Sequence, residues 1–156
     1  MPAPLWPKLF LFGFIAAVVY ADLKRQEVPY FFSLGFLVLL YFQENYQGLF
    51  FGNLIVWLIL FLLIKALEKF HYHRPAFGGA DFLLFFGTAL YFEPPRYVLF
   101  LFLSFFLGLI TALGLLACRK INKDAVLPFA PFIMAAFVIA EYWGGALLKM
   151  YWSFYA

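Results

Sequence analysis

Three acidic residues stand in apolar surroundings, and two of them have the makings of a catalytic pair. Asp22 closes an apolar run that begins near Leu5; Asp81 opens another after Phe77-Gly78-Gly79-Ala80; Glu141 lies well inside a third. An ionisable group close to hydrocarbon is costly and normally faces a partner or a wet cavity. Two carboxylates brought together from different segments cannot both ionise readily, so they share a proton. The ionised partner can then take a proton from water while the protonated one donates to the carbonyl under attack. That is acid–base hydrolysis of a peptide bond, and it calls for no metal and no cofactor. Each residue alone has a plainer reading: Asp81 as a helix N-cap, Asp22 as a charge at a helix end. The catalytic reading rests on the pair and on what flanks it.

Other reactive side chains carry less. His71 and His73, spaced His-Tyr-His, are too few ligands for a metal site and read as part of a solvated basic loop, so no metal is expected. The single cysteine, Cys118, excludes an internal disulfide and a multi-cysteine metal site. Lys65 and Lys69 around Glu68 read as a frayed, charged helix end. Glu141 falls ~21 Å along a helix from Leu127, which favours a structural hydrogen bond over catalysis.

The elements that must position these groups are membrane helices. Of 156 residues, 67% are hydrophobic and 12% charged, against roughly 45–50% and about 25% in soluble domains. A water-facing surface cannot be built from so few charges, so lipid is the solvent for most of the chain. Lys8, the apolar run from Leu9 and Val19-Tyr20-Ala21 imitate a secretory signal, but the later segments need insertion anyway, so this stretch is read as the first membrane helix. Six apolar segments follow one another: Leu5–Ala21, Val28–Phe42, Leu49–Ala66, Phe77–Phe92, Tyr97–Cys118 and Ala125–Leu148. Glu44-Asn45-Tyr46-Gln47-Gly48 and Glu93-Pro94-Pro95-Arg96 read as hairpin turns between them. We expect an all-α polytopic membrane protein of about six transmembrane helices, one domain over residues 1–156. Lys24, Arg25, Lys65, Lys69, Arg74, Arg119, Lys120 and Lys123 fall on one side of such a bundle, and Lys8, Arg96 and Lys149 on the other. Basic loops stay cytoplasmic, so both termini are expected on the non-cytoplasmic side and both Asp22 and Asp81 at the cytoplasmic face. The net charge of +3 is explained by this topology, and no nucleic-acid partner is expected.

The flanking residues sharpen the pair. Phe77-Gly78-Gly79-Ala80-Asp81-Phe82-Leu83-Leu84 resembles the Gly-x-Gly-Asp signature of intramembrane aspartyl proteases, in the form found in type IV prepilin peptidases. Asp22-Leu23-Lys24-Arg25-Gln26-Glu27-Val28-Pro29 is similar to that family's first catalytic segment, and Leu127-Pro128-Phe129-Ala130-Pro131-Phe132 to its Pro-Phe-Gly-Pro-Phe element. The three matches occur in the family's order. The resemblance implies catalytic Asp22 and Asp81, with Gly78, Gly79, Ala80, Lys24, Arg25, Pro29, Pro128 and Pro131 shaping the site or touching substrate. Gly78 and Gly79 would allow a close backbone approach. Pro29, Pro128 and Pro131 would set helix approaches, with Pro128 and Pro131 either discouraging a regular first turn or, equally, serving as plain helix initiators. Ala80 stands where the signature has its second glycine. The implied substrate is a prepilin-like or pseudopilin protein with a basic leader and an apolar helix, cut at the cytoplasmic face of the inner membrane. Full-length bacterial relatives carry a cytoplasmic domain with paired Cys-x-x-Cys motifs linked to N-methylation. The sequence contains none, so a peptidase-only form without methyltransferase activity is expected.

Two further readings remain open. A presenilin-like or signal-peptide-peptidase-like protease shares Gly-Gly-Ala-Asp, but its first Asp follows a Tyr directly, whereas Ala21 separates Tyr20 from Asp22. A small proton-linked transporter or assembly scaffold could use the Asp pair as a relay without cutting peptide.

Overall fold

The computed structural model describes residues 6–25, 28–42, 51–72, 78–121 and 127–154. All regular structure among them is helical: α1 (Trp6–Arg25), α2 (Tyr30–Tyr41), α3 (Phe51–Leu67), α4 (Gly79–Tyr91), α5 (Pro94–Ala117) and α6 (Ala130–Ser153). A π-helical turn, Glu68–Tyr72, prolongs α3. Three stretches, Phe51–Phe70, Pro94–Ala117 and Ala130–Ser153, are long and apolar enough to cross a bilayer, while α2 and α4 are shorter apolar helices. The chain is an all-helical, polytopic membrane protein.

The helix starts follow local chemistry, and some differ from the sequence expectation. Pro94 and Pro95 occupy the first turn of α5, where proline's missing N–H costs nothing and its fixed φ suits the helix. The expected Glu93-to-Arg96 hairpin is therefore mostly helix. Pro131 likewise sits in a regular first turn of α6, the helix-initiating reading of the two expected. α1 runs on through Asp22 to Arg25 instead of stopping at Ala21. The charged stretch at Lys65 is not frayed: Lys65 Nζ and Glu68 Oε2 pair at 2.6 Å within the turn that lengthens α3. The expected hairpin at Glu44 to Gly48 lies outside the described residues, as do Gln26, Glu27, His73, Arg74 and Lys123.

The core explains the shape of the bundle. α1 buries Leu11, Val18 and Asp22, α2 buries Ser33, Phe36 and Leu40, and α5 buries Tyr97, Phe100, Ser104 and Gly108. Spacings of three, four and seven residues put each set on one helix face. In contrast, α4 buries nine of its thirteen residues. The helices α2, α1, α6, α5 and α3 follow one another around it, α5 on α6 the most extensively and α3 on α5 lightly. An aromatic cluster fills the middle: Phe36 meets Phe137 edge-on at 5.2 Å, and Phe92 meets Phe137 at 5.3 Å.

α4 is also short for a bilayer. At 1.5 Å per residue its thirteen residues span ~20 Å, less than the ~30 Å of bilayer hydrocarbon. Trp57 of α3 reaches the Phe82 carbonyl of α4. Further along α3, Phe61 packs on the Phe82 ring at 4.8 Å and Lys65 Nζ lies over it at 5.2 Å. The first turn of α4 thus packs along the C-terminal half of α3, which its π turn continues to Tyr72.

Candidate active site

Asp22 and Asp81 come together at the start of α4. Asp81 is the third residue of α4, not its N-cap; Gly78 holds the cap position. The Gly78 N–H donates to Asp81 Oδ2 at 3.3 Å, and the Asp81 N–H donates to the Gly78 carbonyl at 3.1 Å. Asp22 lies in the last turn of α1, on the same buried face as Val18 and Leu11. Both carboxylates are buried, at 5% and 8% exposure, and they lie within electrostatic reach of each other.

Asp22 is seated by the start of α6. Its Oδ2 accepts the Ala130 N–H at 2.9 Å. Ala130 opens α6, so its amide has no acceptor inside the helix and is free to serve a neighbour. Pro131 brings no N–H of its own, and the amides of Phe132 and Ile133 turn back to the Phe129 carbonyl. One amide is therefore singled out by the Phe129-Ala130-Pro131 order. The Phe129 ring anchors that segment, packing against Phe105 at 5.6 Å and Phe85 at 6.2 Å. Gly108 makes room for it, since a Cβ there would approach the ring to 2.9 Å.

Of the other expected residues, the structure brings some to this corner and not others. Ala80 is buried beside Asp81, while Gly78 and Gly79 are exposed. Gly79 is pressed by the Tyr30 hydroxyl and ring, which a Cβ would hit, so what comes close there is a side chain and not the backbone expected. Pro29 caps α2 directly before Tyr30. Pro128 and Pro131 flank the segment that serves Asp22, both half-buried. Lys24 points away: its Nζ donates to the Tyr20 hydroxyl at 3.2 Å and lies over that ring. Arg25 ends α1, and its side chain lies outside the described atoms. Glu141 is half-buried on α6, ~16 Å beyond Ala130 and away from the pair. No cluster of three or more metal-ligating side chains occurs among the described residues.

Three contributors are not evident from residue type: Ala130 through its backbone, Ser33, and Trp57. The Ser33 hydroxyl donates to the Ala80 carbonyl at 3.2 Å and Trp57 Nε1 to the Phe82 carbonyl at 3.2 Å. A lone serine in an apolar helix and a tryptophan far from either helix end were the available signals. Chemically, the corner offers two buried carboxylates, each accepting one backbone N–H.

Residues 9–113 match the model of the type IV leader peptidase family. That stretch contains both Asp22 and Asp81 and stops short of the Pro128–Pro131 segment. No curated protein and no solved structure matches the chain significantly.

Proposed function

The chain belongs to the type IV leader peptidase family, and from that premise we propose that it is an aspartyl endopeptidase using Asp22 and Asp81 to remove the basic leader of a prepilin-like protein. The observation that supports this most is the meeting of two buried carboxylates from α1 and α4, each accepting one backbone N–H. One carboxylate, ionised, takes a proton from a water whose oxygen attacks the scissile carbonyl carbon. The other, protonated, donates to the carbonyl oxygen. The resulting tetrahedral intermediate collapses when the leaving nitrogen is protonated and the C–N bond breaks. The dyad works only with one shared proton, so cleavage should have a bell-shaped pH dependence.

The substrate class follows from setting. A pair of buried carboxylates at one end of a membrane bundle suits a target whose polar leader precedes an apolar helix, with the helix in the bilayer. Gly78, Gly79 and Pro29 border the exposed side of the dyad and would contact the extended stretch around the cut. The distribution of basic residues favours a cytoplasmic site in the inner membrane with both termini outside.

The test is to incubate the purified protein with a peptide holding a basic leader, a glycine and the start of an apolar helix, and to read products by mass. A single cut after the glycine, lost in Asp22→Asn and Asp81→Asn, is expected. Intact peptide with folded protein, or cleavage surviving either substitution, would overturn the proposal. A reporter fused at Ala156 tests the orientation, and a cytoplasmic signal would refute it.

A further inference from the structure

Hydroxyl side chains in apolar helices usually bond back to a carbonyl one turn earlier in their own helix. Four of the five serines and threonines here do so: Thr88 to Phe85, Ser104 to Phe100, Thr111 to Leu107 and Ser153 to Met150. Ser33 does not. Fully buried on α2, it crosses to α4 and donates to the Ala80 carbonyl. From α3, Trp57 Nε1 donates to the Phe82 carbonyl. These two carbonyls belong to the residues on either side of Asp81.

Successive residues of a helix are rotated by roughly 100°, so the carbonyls of residues 80 and 82 lie on nearly opposite sides of α4. Donors arriving from α2 and α3 therefore hold the first turn from two sides, and Asp81 projects between them toward Asp22. The turn needs such support. It begins at two adjacent glycines, Gly78 and Gly79, and Gly78 has no side chain to cap it. A small rotation here would swing the Asp81 carboxylate away from its partner. Both donors also act where water is scarce, so a lost bond has few substitutes.

We infer that Ser33 and Trp57 are positioning residues that clamp the first turn of α4 and set the geometry of the Asp22–Asp81 pair. The catalytic part of this inference rests on the peptidase reading above; the geometric part does not. Two measurements separate them. In the full chain carrying Cys118→Ala, Asp22→Cys and Asp81→Cys, a short thiol cross-linker should join the two positions readily. Adding Ser33→Ala or Trp57→Phe should slow that reaction severalfold. An unchanged rate overturns the clamp, whatever the enzyme does. On the otherwise unaltered chain, Ser33→Ala and Trp57→Phe should each lower kcat for the leader peptide about tenfold with KM nearly constant, and alter the width of the pH profile. Ser33→Cys, close in size with a weaker donor, should recover part of the rate. Loss of rate in proportion to loss of folded protein would reduce both residues to stability roles and refute the inference. Slowed cross-linking in a chain that cuts no leader peptide would uphold the clamp and count against the peptidase reading.

Discussion

α3 and α4 pack against each other and both are strongly apolar, yet their surroundings are opposite. α3 buries only Asn53 and Ile64 and turns Ile55, Leu58, Ile59, Leu62 and Leu63 outward. α4 buries nearly everything it has. Hydropathy cannot distinguish a helix in lipid from a helix among helices, because both environments are apolar. Side-chain size and polarity can. Small residues admit close neighbours in membrane bundles, and α4 carries Gly79, Ala80, Gly87, Thr88 and Ala89 where α3 is mostly Leu and Ile. α3 grips its neighbour through its polar atoms. Asn53 Nδ2 donates to the Ala89 and Phe92 carbonyls at 3.0 and 2.7 Å, and Trp57 donates to Phe82. The central helix is the one that carries a carboxylate, and the outer one braces it.

The comparison breaks first at the carboxylate. Asp81→Asn and Asp22→Asn should each reduce leader-peptide cleavage by a factor on the order of 10²–10⁴, the usual contribution of a positioned acid or base. Leu62→Ala, on the lipid face of α3, should leave the rate within about twofold, since a surface change away from any special feature has little effect. A steady-state rate on matched amounts of folded protein decides it. If Leu62→Ala is as damaging as Asp81→Asn, α3 is more than a brace.

Glycine gives the next contrast. A Cβ at Gly87 of α4 would press on Leu37 at 3.3 Å, whereas one at Gly52 of α3 would meet nothing within 4 Å. Gly87→Leu should therefore separate α2 from α4 and cost about 1–3 kcal/mol by overpacking, while Gly52→Leu should be neutral. Thermal unfolding in detergent reads both. Equal effects would mean that α4 is not the tightly packed centre.

The sequence made the helical architecture and the acidic pair legible for separate reasons. Membrane helices announce themselves by composition, and a carboxylate is conspicuous among Phe and Leu. Family resemblance then tied Asp22 to Asp81. The ends of helices were harder. Pro94 and Pro95 suit a turn and a helical first turn alike, and the neighbours above decide between them. The role of Ala130 was invisible as a residue type, because its contribution is a backbone N–H freed by standing at a helix start. Asn53 and Ser33 could be seen as polar residues in apolar helices, but pairwise contacts across 36 and 47 residues are not written in local pattern. Lys24 illustrates the reverse. Its position beside Asp22 suggested a role at the site, yet its long stem lets it fold back along α1 to Tyr20.

Smaller effects sharpen how α3 braces α4. Asn53→Ala removes the donors from two carbonyls at the far end of α4, in a place with little water to replace them. A loss of about 1–2 kcal/mol in stability is expected, with cleavage reduced less than by Ser33→Ala, because Asn53 acts at the end of α4 opposite Asp81. The reverse ranking would show that α4 moves as one rigid body and that its far end governs the site.

The smallest expected change lies outside both helices and calibrates the scale. Arg119 closes α5 with a φ of 54°, a left-handed conformation that a Cβ disfavours. The Arg119 and Lys120 amides donate back to the carbonyls of Leu116 and Leu115 at 3.0 and 2.9 Å, the bonding pattern of a glycine-type helix end. Arg119→Gly should relieve about 1–2 kcal/mol of strain, part of it offset by the added freedom of glycine in the unfolded chain, for a net gain of roughly 0.5–1 kcal/mol. The gain should appear in unfolding and leave kcat for the leader peptide unchanged, since this end of α5, residues 116–120, is exposed. A change in kcat with no change in stability would mean that the segment after α5 communicates with Ala130, and through its N–H with Asp22.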